Sequence, residues 1–173
     1  EHHSNEIPWR ESIADVVTIR EDADGGVCQE DLRERLEEFA DRPLLIGSFS
    51  AASNVTGIVS DTYGISTLLH QHGALAFWDY ASAGPHLEVT MRGRRGQPLG
   101  YKDAVFLSPH KFIGGPGTPG VLVVRRELVA NPALIPAAVE ELLRWDNPSH
   151  YLGRHSTEDV ELPSGTIPAE SHI

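Results

Sequence analysis

The sequence predicts an α/β fold organised on a largely parallel sheet, and three observations carry that expectation. Short apolar segments alternate with amphipathic helical segments between residues 14 and 124. The apolar segments, such as LLIGSF (Leu44 to Phe49), ALAFW (Ala74 to Trp78) and AVFL (Ala104 to Leu107), are apolar on both faces, as strands covered on two sides are. Those same three segments each lead into polar residues: Asn54 after the first, Asp79 after the second, and Ser108, His110 and Lys111 after the third. Open parallel sheets bind ligands at the carboxyl ends of their strands, so these residues are expected along one edge.

Each element has a local reason. ADVVTIR (Ala14 to Arg20) is short and β-branched and predicts a strand, with EDADGG as the turn after it. From Gln29 to Ala40 the spacing of Leu32, Leu36 and Phe39 predicts an amphipathic helix whose acidic residues form a solvated face, and Arg42-Pro43 stops it. LLIGSF is the next strand and AASNVTG a loop. A helix follows from Asp61 to His72, with Gly73 placed to cap its carboxyl end. ALAFW, AVFL and GVLVV (Gly120 to Val124) are the remaining strands, the last read as core. The texture changes between Arg126 and Asn131. Ala137 to Trp145 then predicts a short helix, and strand-like pieces at Asp159 to Leu162 and Thr166 to Pro168 predict a β-hairpin tail rather than another βαβ unit.

Composition narrows the function classes. The chain has 173 residues and 40% hydrophobic content, enough to bury a core. A net charge of -11 argues against sequence-independent nucleic-acid binding, which needs a basic footprint. No apolar stretch approaches the ~20 residues of a membrane helix, and no signal peptide is visible. Cys28 stands alone, so no internal disulfide can form, and a reducing cytoplasmic location is expected. The nine histidines show no zinc-site spacing, so no metal is expected. Dense polar sequence from Glu1 onward suggests a fragment of something longer.

The stretch LSPHKFIGGPGTPGVLVV (Leu107 to Val124) raises the sharpest question, because a lysine stands where a strand ends and the backbone must turn. One reading is a structural ion pair between Lys111 and Asp79. The other is a Schiff-base lysine: an amine made nucleophilic, with a carboxylate opposite that keeps a pyridine nitrogen protonated. Gly114, Gly115 and Gly117 fit either a tight turn or a close backbone approach to a phosphate.

At these residues a resemblance enters. EHHSNEIPW, GSFSAASNVTGIVSD, FWDYASAG and LSPHKFIGGPGTPGVLVV resemble, in order and spacing over residues 1–128, the class V aminotransferase family of pyridoxal-phosphate enzymes, which includes the cysteine desulfurases and selenocysteine lyases. The resemblance implies a partial fold-type I large domain that binds pyridoxal 5'-phosphate, acts on an amino acid as a transferase or lyase, and belongs to a homodimer. It implies that Lys111 bonds the cofactor, that Asp79 pairs with the ring nitrogen, and that His2 stacks on the ring. It implies further that Asn54 contacts the ring oxygen, and that Ser108 and His110 lie near the phosphate. The family often has glutamine at the position of Ser82. Its upstream glycine-threonine motif, its small C-terminal domain and the mobile-loop cysteine of the desulfurases are not in this sequence. Weak or no activity is therefore expected of the chain by itself.

The tail resembles a different family. Residues 131–173 are similar to the ExxR helix and following sheet of the cytochrome P-450 family, with Glu141 and Arg144 as the paired charges and Arg154 at a haem-propionate position. The haem-ligating cysteine loop is missing. The sequence thus looks composite, with a join near residue 130 between an aminotransferase-like segment (1–128) and a tail (129–173). Two alternatives stay open: a monooxygenase fragment without its haem ligand, and a non-catalytic α/β module in which the Lys–Asp pair is structural.

Overall fold

The computed structural model describes residues 2–130, 160–162 and 165–167. In chain order the elements are α1 (His3–Arg10), α2 (Gln29–Glu38), β1 (Ile46–Ser50), α3 (Thr62–Gln71), β2 (Leu75–Asp79), β3 (Ala104–Leu107), a 3-10 turn (Pro109–Lys111), β4 (Val121–Val124), α4 (Arg126–Ala130), β5 (Val160–Leu162) and β6 (Gly165–Ile167). The strands form a four-stranded sheet ordered β1-β2-β3-β4 and a separate β5-β6 hairpin. The tail hairpin agrees with the sequence reading. The helix expected at 137–145, and with it Glu141, Arg144 and Arg154, lies outside the described residues.

β1, β2 and β3 are parallel, with Phe49 beside Trp78 and Trp78 beside Val105. β4 runs antiparallel to β3, Val105 facing Val123. The reason lies in the connections. A parallel return needs a crossover, usually a helix. α3 supplies one between β1 and β2 and packs on β2. Between β3 and β4 the chain has only the 3-10 turn and a glycine-proline loop, so it doubles back.

β2 is the centre of the core. Successive strand residues point to opposite faces, and both faces of β2 are covered. Trp78 packs with Leu32, Leu36, Ile65 and Leu69 on the helical side, and its indole N–H donates to Ser66 Oγ at 2.9 Å. Phe77 packs with Phe106, Leu128 and Trp9 on the other. A Cβ on Gly47 would lie 2.5 Å from Leu69, so glycine there lets α3 approach β1 closely. α1, which the sequence reading did not anticipate, is pinned to β1. Trp9 Nε1 donates to Ser48 Oγ at 3.1 Å, and that hydroxyl donates to Asn5 Oδ1 at 2.8 Å. Asp61 caps α3 by accepting the Gly64 N–H. Gly73 follows its end in the left-handed region (φ 72°), as the sequence indicated.

Three expectations are corrected. Residues 14–20 form no strand, and no described strand pairs with them. A β-branched sequence favours the conformation without supplying a partner. β4 is not core on both faces: Val121 and Val123 are exposed while Leu122 and Val124 are half-buried, because it closes one side of the sheet. The polar face of α2 is also interrupted. Asp31 is buried, its carboxylate accepting the backbone N–H of Arg20 at 2.8 Å and its guanidinium N–H at 3.0 Å. These bonds hold the Asp31 carboxyl below the usual carboxylate range, backbone donor first.

Two polar clusters sit inside this frame. His70 joins Asp103 Oδ2 at 2.7 Å and the Leu99 carbonyl at 2.6 Å, and the same Asp103 oxygen accepts the Ala76 N–H. The His70 ring stacks on Tyr101 at 3.9 Å, with the Arg125 guanidinium also over Tyr101. The second cluster surrounds Lys102, which is fully buried. Among the described residues its Nζ makes no hydrogen bond; it lies 4.6 Å from the centre of the Tyr63 ring and 5.9 Å from that of Tyr80. Burial lowers its pKa from 10.5 to about 8, and the negative charge of Glu88 offsets only part of that.

A buried ammonium that is easier to charge in the unfolded chain costs stability below pH 8, and the cost fades as pH rises from there towards 10.5. Lys102→Met should therefore stabilise the chain at pH 7 by about 1–3 kcal/mol, the lost cation–π contacts offsetting part of the gain. The difference should shrink at pH 10. Denaturant melts of both proteins at the two pH values check it.

Candidate active site

The carboxyl edge of the sheet is assembled from three loops, each leaving a parallel strand. β2 ends in Asp79, whose backbone carbonyl accepts the Ala51 N–H at 2.8 Å, locking the loop after β1 against the end of β2. The Asp79 side chain is 6% exposed, and one oxygen accepts the Ala81 N–H at 2.7 Å. No other hydrogen bond to this carboxylate is found among the described residues. Burial raises its pKa above the usual carboxylate range. The Ala81 N–H, then the charge of Lys111 and that of His2, act in the opposite direction. The charges of Lys111 and His2 thus both act on the Asp79 carboxylate, although the three residues stand far apart in sequence.

Lys111 closes the 3-10 turn after β3, its N–H bonded to the Ser108 carbonyl at 2.9 Å, and its side chain is exposed. That exposure answers why a lysine stands at the end of a strand: the turn lifts it out of the sheet into water. His2 is the N-cap of α1, and its Nδ1 accepts the Ser4 N–H at 3.1 Å, which fixes the ring at the helix entrance. Asn54 is exposed on the loop after β1, His110 is exposed beside Lys111, and Ser108 is half-buried with no capping bond from its hydroxyl. These three share the edge but make no described hydrogen bond to Asp79.

The sequence reading missed what supports these residues. The Ser82 hydroxyl donates to the Ala52 carbonyl at 2.9 Å, tying the loop after β2 to the loop after β1. Ser60 Oγ donates to the Ser50 carbonyl at 2.7 Å, and Ser53 Oγ accepts the N–H groups of Val55 and Thr56. Only the departure from glutamine at Ser82 signalled this network in the sequence. The glycine run after Lys111 is a turn device. Gly114 and Gly117 have φ of 78° and 83°, and a Cβ on Gly115 would fall 2.0 Å from the Pro109 carbonyl oxygen. The N–H groups of Gly115 and Thr118 are spent inside the turn, on the carbonyls of Phe112 and Gly115.

Because that Cβ has nowhere to go, Gly115→Ala should destabilise the chain by about 1–3 kcal/mol and speed tryptic cleavage after Lys111. Gly57→Ala is the control: it has a positive φ of 76° but open space around its Cβ, so it should leave cleavage at Lys111 unchanged. Thermal melts and timed digests measure both.

Comparison with known proteins places this geometry. The family model for class V aminotransferases matches residues 1–137. A probable cysteine desulfurase of Mycobacterium leprae is 34% identical over 134 residues, covering 75% of this chain and 29% of the relative. A probable cysteine desulfurase of Methanothermobacter thermautotrophicus is 34% identical over 125 residues, 70% of this chain and 29% of the relative. The chain therefore spans under a third of the length of these curated relatives. Among solved structures, a NifS-like protein from Rickettsia africae superposes with TM-score 0.58 at 22% identity, covering 72% of this chain and 32% of that one. A cysteine desulfurase from Thermococcus onnurineus gives TM-score 0.58 at 22% identity, covering 98% and 37%. These likenesses show the fold, a partial fold-type I α/β domain. Class V aminotransferases and cysteine desulfurases depend on pyridoxal 5'-phosphate.

Proposed function

We propose that this chain, which belongs to the class V aminotransferase family, carries the cofactor-bonding edge of a pyridoxal-phosphate enzyme that acts on an amino acid as a transferase or lyase. The observation that carries this reading is an exposed lysine amine and a buried, sparsely bonded carboxylate at one sheet edge, with the lysine's charge acting on the carboxylate.

The donor set fits the cofactor. When bound, pyridoxal phosphate supplies an aldehyde and a conjugated ring able to accept an electron pair. Lys111 is the amine that would hold it, and no described ion pair competes for that amine. Lys111 Nζ would also be the base that takes the proton from the substrate α-carbon and returns one. Asp79 holds the proton on the ring nitrogen. Its burial makes a bare carboxylate unfavourable, so a cationic partner in the pocket relieves a cost that the fold leaves in place. His2, oriented by its bond to Ser4, would cover one face of the ring. Asn54 would bond the ring oxygen, and Ser108 and His110 would hold the phosphate. The complete enzyme works as a homodimer in the cytoplasm, and the span studied alone is weakly active or inactive.

The chain contains two lysines, Lys111 in water and Lys102 fully buried. Incubation with pyridoxal phosphate, borohydride reduction and peptide mass spectrometry should place the adduct on Lys111 and lose it in Lys111→Ala. Labelling of Lys102 to the same extent would defeat the assignment.

Asp79→Asn separates a functional carboxylate from a structural ion pair. It should weaken cofactor capture tenfold or more, the loss of a charge-assisted hydrogen bond of about 1.5–3 kcal/mol. Yet it should not lower fold stability at neutral pH. A carboxyl whose folded pKa is raised costs stability above its folded pKa and none well below the unfolded value, so any advantage of asparagine vanishes in acid. Melts at pH 7 and pH 3 beside a capture titration decide it, and a large loss of stability at pH 7 would favour the structural pair.

A further inference from the structure

Lys102 is a buried charge that the proposed chemistry does not use, and its neighbours are two rings that frame the candidate site. Its side chain is fully buried, and among the described residues its Nζ has no hydrogen-bond acceptor. The ammonium meets instead the Tyr63 ring, 4.6 Å from its centre, and the Tyr80 ring, 5.9 Å from its centre. Both lie within the ~6 Å over which a cation is drawn to an aromatic face. The two rings belong to different elements. Tyr63 stands in the first turn of α3, at the end of the loop that carries Asn54. Tyr80 follows Asp79 directly, and its N–H donates to the Phe106 carbonyl at 2.8 Å. A run of backbone bonds joins the two sides. The Thr62 N–H donates to the Ser60 carbonyl, the Ser60 N–H to the Ala51 carbonyl, and the Ala51 N–H to the Asp79 carbonyl. The backbone around Lys102 is itself fixed, its own N–H donating to Met91 and that of Asp103 to Ala76. A methionine would fill the same space without a buried charge, so packing alone does not call for an amine here.

We infer that Lys102 is a positioning residue: its ammonium draws Tyr63 and Tyr80 together, and through them holds Asp79 and the loop of Asn54 in the arrangement that receives the cofactor. This role rests on the function proposed above for that edge. Loss of the ammonium proton loosens the clamp, because a neutral amine has no comparable attraction for a ring face. The titratable and charged groups around the amine are Tyr63 of α3, Tyr80 after β2, and Glu88 and Arg94 of the segment between β2 and β3. Arg94 lies over the same Tyr63 ring at 4.5 Å. Asp103, next in sequence, is engaged by His70. Burial brings the Lys102 pKa to about 8, against the charge of Glu88, and burial raises that of the Tyr80 phenol. The clamp is therefore charged at pH 7 and mostly neutral at pH 9.5, while the Tyr80 phenol keeps its proton.

The test compares pyridoxal phosphate capture at Lys111 by the chain and by Lys102→Met between pH 7 and pH 9.5. The ratio of the two affinities at each pH cancels what Lys111 and the cofactor themselves contribute. Lys102→Met should capture at least threefold more weakly at pH 7, although it melts higher, and the ratio should approach one by pH 9.5. Glu88→Gln, a change at an exposed residue, removes the charge that favours the ammonium. Its own ratio to Lys102→Met should therefore collapse at a lower pH. Equal affinities at pH 7, a ratio that stays flat with pH, or an unmoved midpoint in Glu88→Gln would each overturn the role, since a merely structural lysine changes stability alone. A second measurement needs no cofactor. The Ala51 and Ala81 amides, bonded to the Asp79 carbonyl and carboxylate, should exchange at least threefold faster at pH 7 in Lys102→Met, with the Val105 amide unchanged. Unchanged exchange at residues 51 and 81 sinks the clamp whatever the capture shows. Absence of capture in every variant, with the exchange difference present, strikes the function assigned to Lys111 and supports the clamp.

Discussion

The central strand β2 is covered on both faces, and its last residue carries a carboxylate into that covered environment. Phe77 and Trp78 anchor the two halves of the core in succession, and the strand has no freedom left at Asp79. The hydrogen bond from Ala51 to the Asp79 carbonyl and the one from Tyr80 to the Phe106 carbonyl extend the parallel ladder one step beyond the side chain that matters. Burial of a few large side chains, each contributing on the order of 2 kcal/mol, thus holds a carboxylate where water does not fully solvate it. The chemistry at the edge rests on that constraint.

The buried charges divide into satisfied and unsatisfied ones, and the division follows their roles. Asp31 and Asp103 each gather several donors, including a backbone N–H, and tie elements together: α2 to the segment before it, and α3 to β2 and β3. Asp79 has one described donor and Lys102 has none but two aromatic rings. An under-satisfied buried group is costly unless something compensates it. For Asp79 the compensation is the Ala81 N–H and the charge of Lys111 at the sheet edge. For Lys102 it is the quadrupole of Tyr63 and Tyr80, with no opening towards solvent.

The sheet also explains why one strand-forming sequence is not a strand. β-propensity measures how well side chains suit a pleated, half-buried surface, and hydrogen-bonded pairing requires a neighbour. Residues 14–20 form no strand; they anchor through Arg20 and Asp31 and line a cleft that β1 also lines. β4 is the complementary case. Its sequence reads as core, but an edge position leaves Val121 and Val123 in contact with solvent.

Much of this molecule was legible in its residues. Apolar runs of strand length, the helical spacing of Leu32 and Leu36, the cap at Asp61 and the left-handed Gly73 are local properties, and local properties are written in local sequence. So was the order of motifs that places the chain in its family, and the arrival of Asp79 and Lys111 at carboxyl ends follows from strand alternation alone. Tertiary structure decided what depends on neighbours distant in sequence. It alone shows that one lysine lies in water and the other under two tyrosines, that β4 reverses direction, that Asp31 leaves the polar face of its helix, and that Ser82 braces the loop of Asn54. Burial is a property of surroundings, and the surroundings of Lys102 come from residues 63, 80 and 88, which no reading of its own neighbours could bring together.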